Sequence, residues 1–194
     1  DLIEFFHADP QKIDVIGQNC EAMFYSAVTE NEKQGVCEKY GLQPHQFLVQ
    51  VGTVEERKNG ELTLRALKKS GSALTLAFFG KKTKYQDFLK KLAQELEISN
   101  QVIFVNNAHF ADLPAIYQSS LGSCYPSKFE GFGIPVLESI ASGTPLLVAS
   151  GSCLEETAGS CATVVSPLDV DGAAQWISQL SNTKKPHPDR EMWL

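Results

Sequence analysis

What this sequence lacks narrows its role before any motif is read. No apolar run reaches the ~18 residues of a membrane-crossing helix, so no membrane span is expected. Positive charge is not in surplus: 17 Lys and Arg against 23 Asp and Glu leave a net charge of −6, which argues against nucleic acid as a principal partner. The five cysteines, at 20, 37, 124, 153 and 161, are odd in number, widely spaced and without a Cys-x-x-Cys pair. Neither a disulfide framework nor a zinc site is suggested, and free buried thiols are the expected state. Histidine is sparse: His7, His45, His109 and His187 are scattered outside any motif, and none is a candidate catalyst or metal ligand. Internal repeats are absent as well.

What is present suits a soluble globular domain. A composition 43% hydrophobic and 21% charged over 194 residues is enough for one well-formed core. From residue 47 onward, short apolar runs alternate with longer amphipathic ones, the pattern of parallel strands joined by crossover helices. Strands are expected at Phe47 to Val51, Leu74 to Phe79, Val102 to Val105, Leu121 to Tyr125, Leu146 to Ala149 and Thr163 to Val165. Helical spacing joins Leu62, Leu64, Ala66 and Leu67, and again Phe88, Leu89, Leu92, Ala93 and Leu96, while Cys153 and Cys161 flank a further helix. The fold class that follows is α/β: a Rossmann-like parallel sheet flanked by helices. An earlier helix is expected from about Ser26 to Tyr40, after one apolar run at Ile13-Asp14-Val15-Ile16. Residues 1–20 are expected to end a preceding domain and cross over from it, 21–182 to form the Rossmann-like domain, and 183–194 to form a tail. The opening at Asp1 has neither a starting Met nor the basic stretch of a signal peptide, so a piece of a longer, cytoplasmic protein is expected.

Two loops carry chemistry. After the first core strand, Gly52 is followed by the adjacent cations Arg57 and Lys58 and then by Asn59 and Gly60 at a helix start. Guanidinium binds phosphate oxygens bidentately and ammonium adds a mobile point charge, so the pair could clamp a diphosphate; a solvated basic loop is the commoner fate of such a pair. After the fourth strand comes Glu130-Gly131-Phe132-Gly133-Ile134-Pro135-Val136-Leu137-Glu138. Pro135 suits only a first helical turn, which makes Glu130 a loop residue and places Glu138 in the first turn of a helix. Carboxylates only accept hydrogen bonds, so two at fixed separation can each grip a pair of sugar hydroxyls, and the intervening glycines let backbone approach a ligand. The helix N-terminus adds unpaired N–H groups. The plainer alternative is that Gly131 and Gly133 only turn the chain and Glu138 only complements the helix dipole. Phe129 and Phe132 could stack on a ligand, although packing is the commoner role. Because both loops follow strands, both fall at the carboxyl edge of the sheet, where open parallel sheets bind ligands.

In order along the chain, Val51-Gly52-Thr53-x3-Arg57-Lys58-Asn59, Tyr117 to Pro126, the two glutamates Glu130 and Glu138 with seven residues between, and Ser142-Gly143-Thr144-Pro145 resemble the retaining GT-B glycosyltransferases of family 4. The run Ile13 to Ile16 is similar to that family's crossover strand into its second domain, although Gly17-Gln18-Asn19-Cys20 departs from its usual Pro-Asn-Gly. The resemblance implies the second, donor-binding domain of a two-domain enzyme. Arg57 and Lys58 would hold the diphosphate of a UDP-, GDP- or ADP-sugar, Glu138 the ribose and Glu130 the transferred sugar. Amides of Gly131, Phe132, Gly133 and Ile134 would touch sugar and phosphates, with Val105 and Asn106 lining the base pocket.

By the same resemblance no cofactor or metal is expected. The acceptor, a saccharide or lipid-linked molecule, would be bound by a missing N-terminal domain, without which the chain is expected to turn nothing over. The site would lie in the cytoplasm or against the inner face of a membrane. Two alternatives remain open from the residues alone: a non-catalytic nucleotide-binding or regulatory module of the same fold, and a two-domain sugar-nucleotide epimerase.

Overall fold

The computed structural model describes residues 2–14 and 16–182. Six parallel strands form one sheet: β1 (Phe47–Val51), β2 (Thr75–Phe79), β3 (Val102–Val105), β4 (Gly122–Tyr125), β5 (Leu146–Ala149) and β6 (Ala162–Val165). Their spatial order is β3-β2-β1-β4-β5-β6. The chain thus builds outward from β1 through β2 to β3, then returns to the other side of β1 and builds outward again. The reversal falls between β1 and β4, which pair directly through Leu48 with Gly122 and Val49 with Ser123. Loops leaving the carboxyl ends of those two strands diverge there and leave a crevice.

Helices cover both faces. α3 (Gly60–Ser70), α4 (Lys84–Glu95) and α8 (Val170–Asn182) share one core with Leu48, Leu76, Phe78, Cys124 and Leu147. α2 (Glu30–Lys39), α5 (Leu113–Ser119), α6 (Ile134–Ala141) and α7 (Cys153–Ala158) border the second core, around Phe47, Val49, Val51, Phe79 and Val148. The alternation is visible within β1, where Leu48 faces one layer and Phe47, Val49 and Val51 the other. All five residues of β1 are buried, as expected of a central parallel strand.

Every expected strand from residue 47 onward is present, with ends shifted by at most one residue. The first long helix starts later than Ser26, at Glu30. Thr29 accepts a hydrogen bond from the Glu32 amide while the Glu32 carboxylate receives the Thr29 amide, and this reciprocal cap fixes the first turn. Among the described residues of the expected crossover strand, Ile13, Asp14 and Ile16 belong to no strand, and Ile16 is 86% exposed. Extended backbone becomes a strand only when it is paired, and none of the six strands pairs with Ile13, Asp14 or Ile16. A short helix, α1 (Leu2–Phe6), precedes this stretch with no buried residue. Among the described residues none before Phe24 is buried; Phe24 packs edge-on against Phe110 and Tyr117. Residues 183–194, expected as a tail, and with them His187, lie outside the described residues. All five cysteines are free, but only Cys37 and Cys124 are buried; Cys20, Cys153 and Cys161 are half-exposed because they sit at loops and helix ends.

The loops after β1 and β2 press together at the carboxyl edge. A Cβ built on Gly80 would stand 2.0 Å from the carbonyl oxygen of Gly52, a backbone atom that cannot swing aside. Gly80→Ala is therefore expected to destabilise the fold by about 1–3 kcal/mol, the usual cost of overpacking. Urea unfolding measures this; a midpoint equal to that of the unmodified chain would show that the two loops are free to separate.

Candidate functional site

The two loops at the switch point are built to hold charge. Gly52, just past β1, has φ 123°, a backbone conformation that L side chains rarely adopt. Its missing side chain leaves room for Lys58: a Cβ there would lie 2.9 Å from the Lys58 ammonium. Gln50, buried in β1, donates its amide to the Lys58 carbonyl at 2.8 Å and is itself held by Thr63 at 3.2 Å. Lys58 is consequently 9% exposed, an unusual position for lysine, and its ammonium must be paired to be tolerated. Asn59 then reverses the chain in the left-handed conformation (φ 55°) and starts α3. Its side-chain amide donates to the carbonyls of Pro126, 2.9 Å, and Pro167, 2.8 Å, tying the β1 loop to two others.

Glu130 supplies the missing charge. Its Oε1 lies 2.8 Å from Lys58 Nζ and its Oε2 2.5 Å from Arg57 Nη1, while Ser127 Oγ donates to Oε1 at 3.0 Å. Arg57 also meets Glu55 at 2.7 Å and donates to the Phe129 carbonyl, and the Lys128 amide returns a bond to the Arg57 carbonyl at 2.7 Å. The sequence thus brings together, from 72 to 73 residues apart, the three residues expected to act. Burial alone would raise the Glu130 carboxyl's pKa; hydrogen bonds from Lys58 and then Arg57 outweigh it and hold the group below the ordinary carboxylate value. Glu130 reciprocally pushes the Arg57 guanidinium up.

Glu138 lies in different surroundings. α6 begins at Ile134 behind Gly133, so Glu138 is its fifth residue, one turn deeper than the first-turn position expected from Pro135. There it cannot serve as a terminal dipole partner, and it is 5% exposed. Tyr117 OH donates to its Oε2 at 3.1 Å, and the Tyr117 and Tyr125 hydroxyls pair at 2.7 Å. Burial raises the Glu138 pKa, against the opposing pull of Tyr117, and burial also raises both tyrosines well above their ordinary value. Cys20 stands near enough that, after burial, the Glu138 charge helps raise its thiol pKa. Cys20 packs against the second core.

Between the two acids, Gly133 turns the chain at φ 97°. Among the described residues the amides of Gly131, Phe132, Gly133 and Ile134 have no acceptor in the protein. Phe129 is 70% exposed and Phe132 half-buried. Val105 and Asn106 sit apart from the ion cluster, at the end of the edge strand β3, with Asn106 exposed and the Val105 carbonyl taking the Gly80 amide at 3.0 Å. His109 is exposed and caps nothing with its side chain. Among the described residues no group of three or more His, Cys, Asp and Glu side chains could hold a metal ion, and no helix is long and apolar enough to cross a membrane.

Sequence reasoning gave no role to four residues of the cluster. Gln50 and Asn59 hold the cation loop, Ser127 holds Glu130, and Tyr117 holds Glu138. A polar residue inside the otherwise apolar strand Phe47 to Val51 was the available signal for Gln50. Asn59 and Tyr117 depend on long-range contacts that periodicity does not encode, and Ser127 on a local contact within an irregular loop.

A Rossmann-like parallel sheet with a cation loop and a two-glutamate loop at its switch point defines the class, and comparison with known proteins agrees. Residues 33–193 match the family model for glycosyl transferases group 1, and the chain belongs to that family. It is 27% identical over 184 residues to the O-antigen chain mannosyltransferase RfbU of Salmonella typhimurium, covering 95% of this chain and 48% of the relative. To the D-inositol 3-phosphate glycosyltransferase of Mycobacterium marinum it is 30% identical over 185 residues, covering 92% of this chain and 38% of the relative. The chain thus spans about half or less of these curated relatives. Solved glycosyltransferase structures share the fold. WaaG, a glycosyltransferase involved in lipopolysaccharide biosynthesis, superposes with TM-score 0.81 at 20% identity, covering 98% of this chain and 52% of its own. Anabaena HepE in complex with UDP gives 0.81 at 18% identity, covering 93% and 51%.

The charge cluster carries a measurable pH signature. Glu130→Gln, which keeps shape but removes charge, is expected to destabilise the chain by about 1–2 kcal/mol at pH 7, discounted from a buried pair because Arg57 is partly solvated. The Glu130 pKa is lower in the folded chain, so its contribution is fully present above the unfolded value of about 4.3. It is lost as pH falls through the folded value. Unfolding curves of the two proteins should converge at acid pH; a constant gap would mean the carboxylate's charge is not what matters.

Proposed function

We propose that this chain is the donor-binding domain of a retaining glycosyltransferase and takes a nucleotide-diphospho-sugar. The observation that carries this reading is the meeting of Arg57, Lys58 and Glu130 at the β1–β4 switch point, one loop and half a helix from the buried Glu138. Arg57 and Lys58 hold the diphosphate. Each has donors beyond those bonded to Glu130, so an incoming phosphate can share the cations with that carboxylate rather than evict it. Glu138 accepts from the ribose hydroxyls, and Glu130 orients the transferred sugar. The unpartnered amides from Gly131 to Ile134 donate to sugar and phosphate oxygens, and Val105 and Asn106 line the base pocket. Its complex with UDP makes HepE a precedent for the first nucleotide to try.

Transfer breaks the bond between the anomeric carbon and the diphosphate, and negative charge grows on the leaving phosphate. Arg57 and Lys58 are fixed before that charge appears, and losing one such donor typically costs on the order of 3 kcal/mol of activation free energy. No bound metal enters this reading. The acceptor, a saccharide or lipid-linked molecule, is held by a separate domain in the cytoplasm or at the inner face of a membrane, and the chain alone turns nothing over. A module that binds nucleotide without transferring sugar is the second reading; the pairing of all three charged side chains in one cluster favours the first.

Calorimetric titration with UDP, GDP and ADP is expected to give heat with at least one, and silence from all three in a folded sample would end the proposal. Glu138→Ala should weaken binding of that nucleotide more than of its 2′-deoxy counterpart; equal loss rejects the ribose role. Because burial raises the Glu138 pKa, discrimination between the two sugars should decay on acidification before an ordinary carboxylate titrates. A preference that is flat down to pH 4 would place the discriminating group elsewhere.

A further inference from the structure

Three contacts join α7 to the glycine loop in front of α6. Thr157 Oγ1 donates to the Phe132 carbonyl at 2.8 Å, and Cys153 Sγ donates to the Glu130 carbonyl at 3.2 Å. The Leu154 side chain fills the space over Gly133, where a Cβ would stand 2.3 Å from Leu154 Cδ2. The three α7 residues, Cys153, Leu154 and Thr157, stand outside the cation cluster. Helix α7 is itself fixed, with Leu154 and Ala158 buried and Ser152 capping its first turn through the Leu154 amide.

The consequence follows from peptide geometry. No peptide bond here is cis, and in a trans peptide the carbonyl of one residue and the N–H of the next point to opposite sides. Holding the carbonyls of Glu130 and Phe132 against α7 therefore turns the N–H groups of Gly131 and Gly133 away from it. These are two of the amides that have no acceptor in the protein among the described residues. We propose that Thr157, assisted by Cys153, is a positioning residue that presents the Gly131 and Gly133 amides as a preset pair of donors for the phosphate or sugar oxygens of a nucleotide-diphospho-sugar. The assignment rests on the donor-site reading for its ligand, but not for the orientation of the loop. Cys153 suits the task, since burial and then the Glu130 charge raise its pKa and keep the S–H in place as a donor. It is the weaker of the two, because thiols are poor donors. Preset donors lose no ordering entropy when the ligand arrives, so their effect appears as affinity.

Thr157→Val removes the hydroxyl and preserves the shape. In the nucleotide-free chain, ¹⁵N relaxation should show the Gly131 and Gly133 order parameters falling from about 0.85 toward 0.6, the values of rigid and mobile backbone. Affinity for whichever of UDP, GDP or ADP binds should fall about fivefold, the worth of one hydrogen bond. Thr157→Ser should restore both readouts, and Cys153→Ala should cost about twofold. A change that merely loosened the fold would lower the melting temperature and would not be rescued selectively by serine. Unchanged order parameters in Thr157→Val overturn the positioning role whether or not any nucleotide binds. Mobile amides with unchanged nucleotide affinity overturn it too. If the unmodified chain binds none of the three nucleotides, the donor-site reading fails by itself, and the relaxation data still decide whether Thr157 sets the loop.

Discussion

A lysine ammonium held almost out of water is the constraint on which the rest of the site depends. Lys58 can lie across Gly52 only because that residue has no side chain, and a cation so little exposed needs a carboxylate against it. Glu130 is that carboxylate, and it belongs to a different βα unit. The pairing therefore fixes the β1 loop to the β4 loop across the point where the sheet reverses its order. Asn59 adds a neutral hydrogen bond across the same join, while Gln50 braces its β1 side and Ser127 its β4 side. A crevice whose walls are locked by charge keeps its shape with nothing in it, which a binding site needs if ordering is not to be charged against affinity.

The distribution of burial within the cluster is informative. Lys58 and Glu130 are each 11% exposed at the side chain, whereas Arg57 is 41% exposed. The two deeper groups are the structural pair, and Arg57 is the member with solvent-facing donors left to offer. An anion arriving from solvent meets the guanidinium first. Guanidinium also suits a phosphate geometrically, since its planar fork matches two oxygens.

How far the sequence speaks depends on the range of the forces involved. Strands β1 to β6 were legible because each is a short apolar run bounded by turn residues, a local signal. The loops carrying Arg57, Lys58 and Glu130 were legible because they follow those strands. Local reasoning misplaced Glu138, for Pro135 marks a helix start but not which turn a later residue occupies; Ile134 precedes it and the acid falls at the fifth position. Ile13 to Ile16 was expected to be a crossover strand by resemblance, and the described residues Ile13, Asp14 and Ile16 belong to no strand of this sheet. Tyr117 and Asn59 act through partners 21 to 108 residues away, which no short window of sequence contains, whereas Ser127 reaches Glu130 only three residues on, through a loop with no periodicity to read.

The two glutamates differ more in environment than their shared motif suggests, and the difference divides their labour. Glu130 faces two cations and is held ionised across the whole neutral range. Among the described residues no cation pairs with Glu138; its carboxylate is buried and steadied by one tyrosine hydroxyl, itself kept protonated by burial. A permanently charged acid surrounded by donors is suited to balancing and orienting charge, because it can take up little more proton affinity from a ligand. A buried acid with a raised pKa and vacant acceptor capacity gains most when a ligand brings hydroxyl donors to it. Environments that push two like groups in opposite directions are how one fold assigns them separate roles. On the proposed donor-site reading, that division places Glu130 beside the cations to orient the transferred sugar and Glu138 at the ribose diol, an order set by the packing of α6 against α5 and by the pair of cations on the β1 loop.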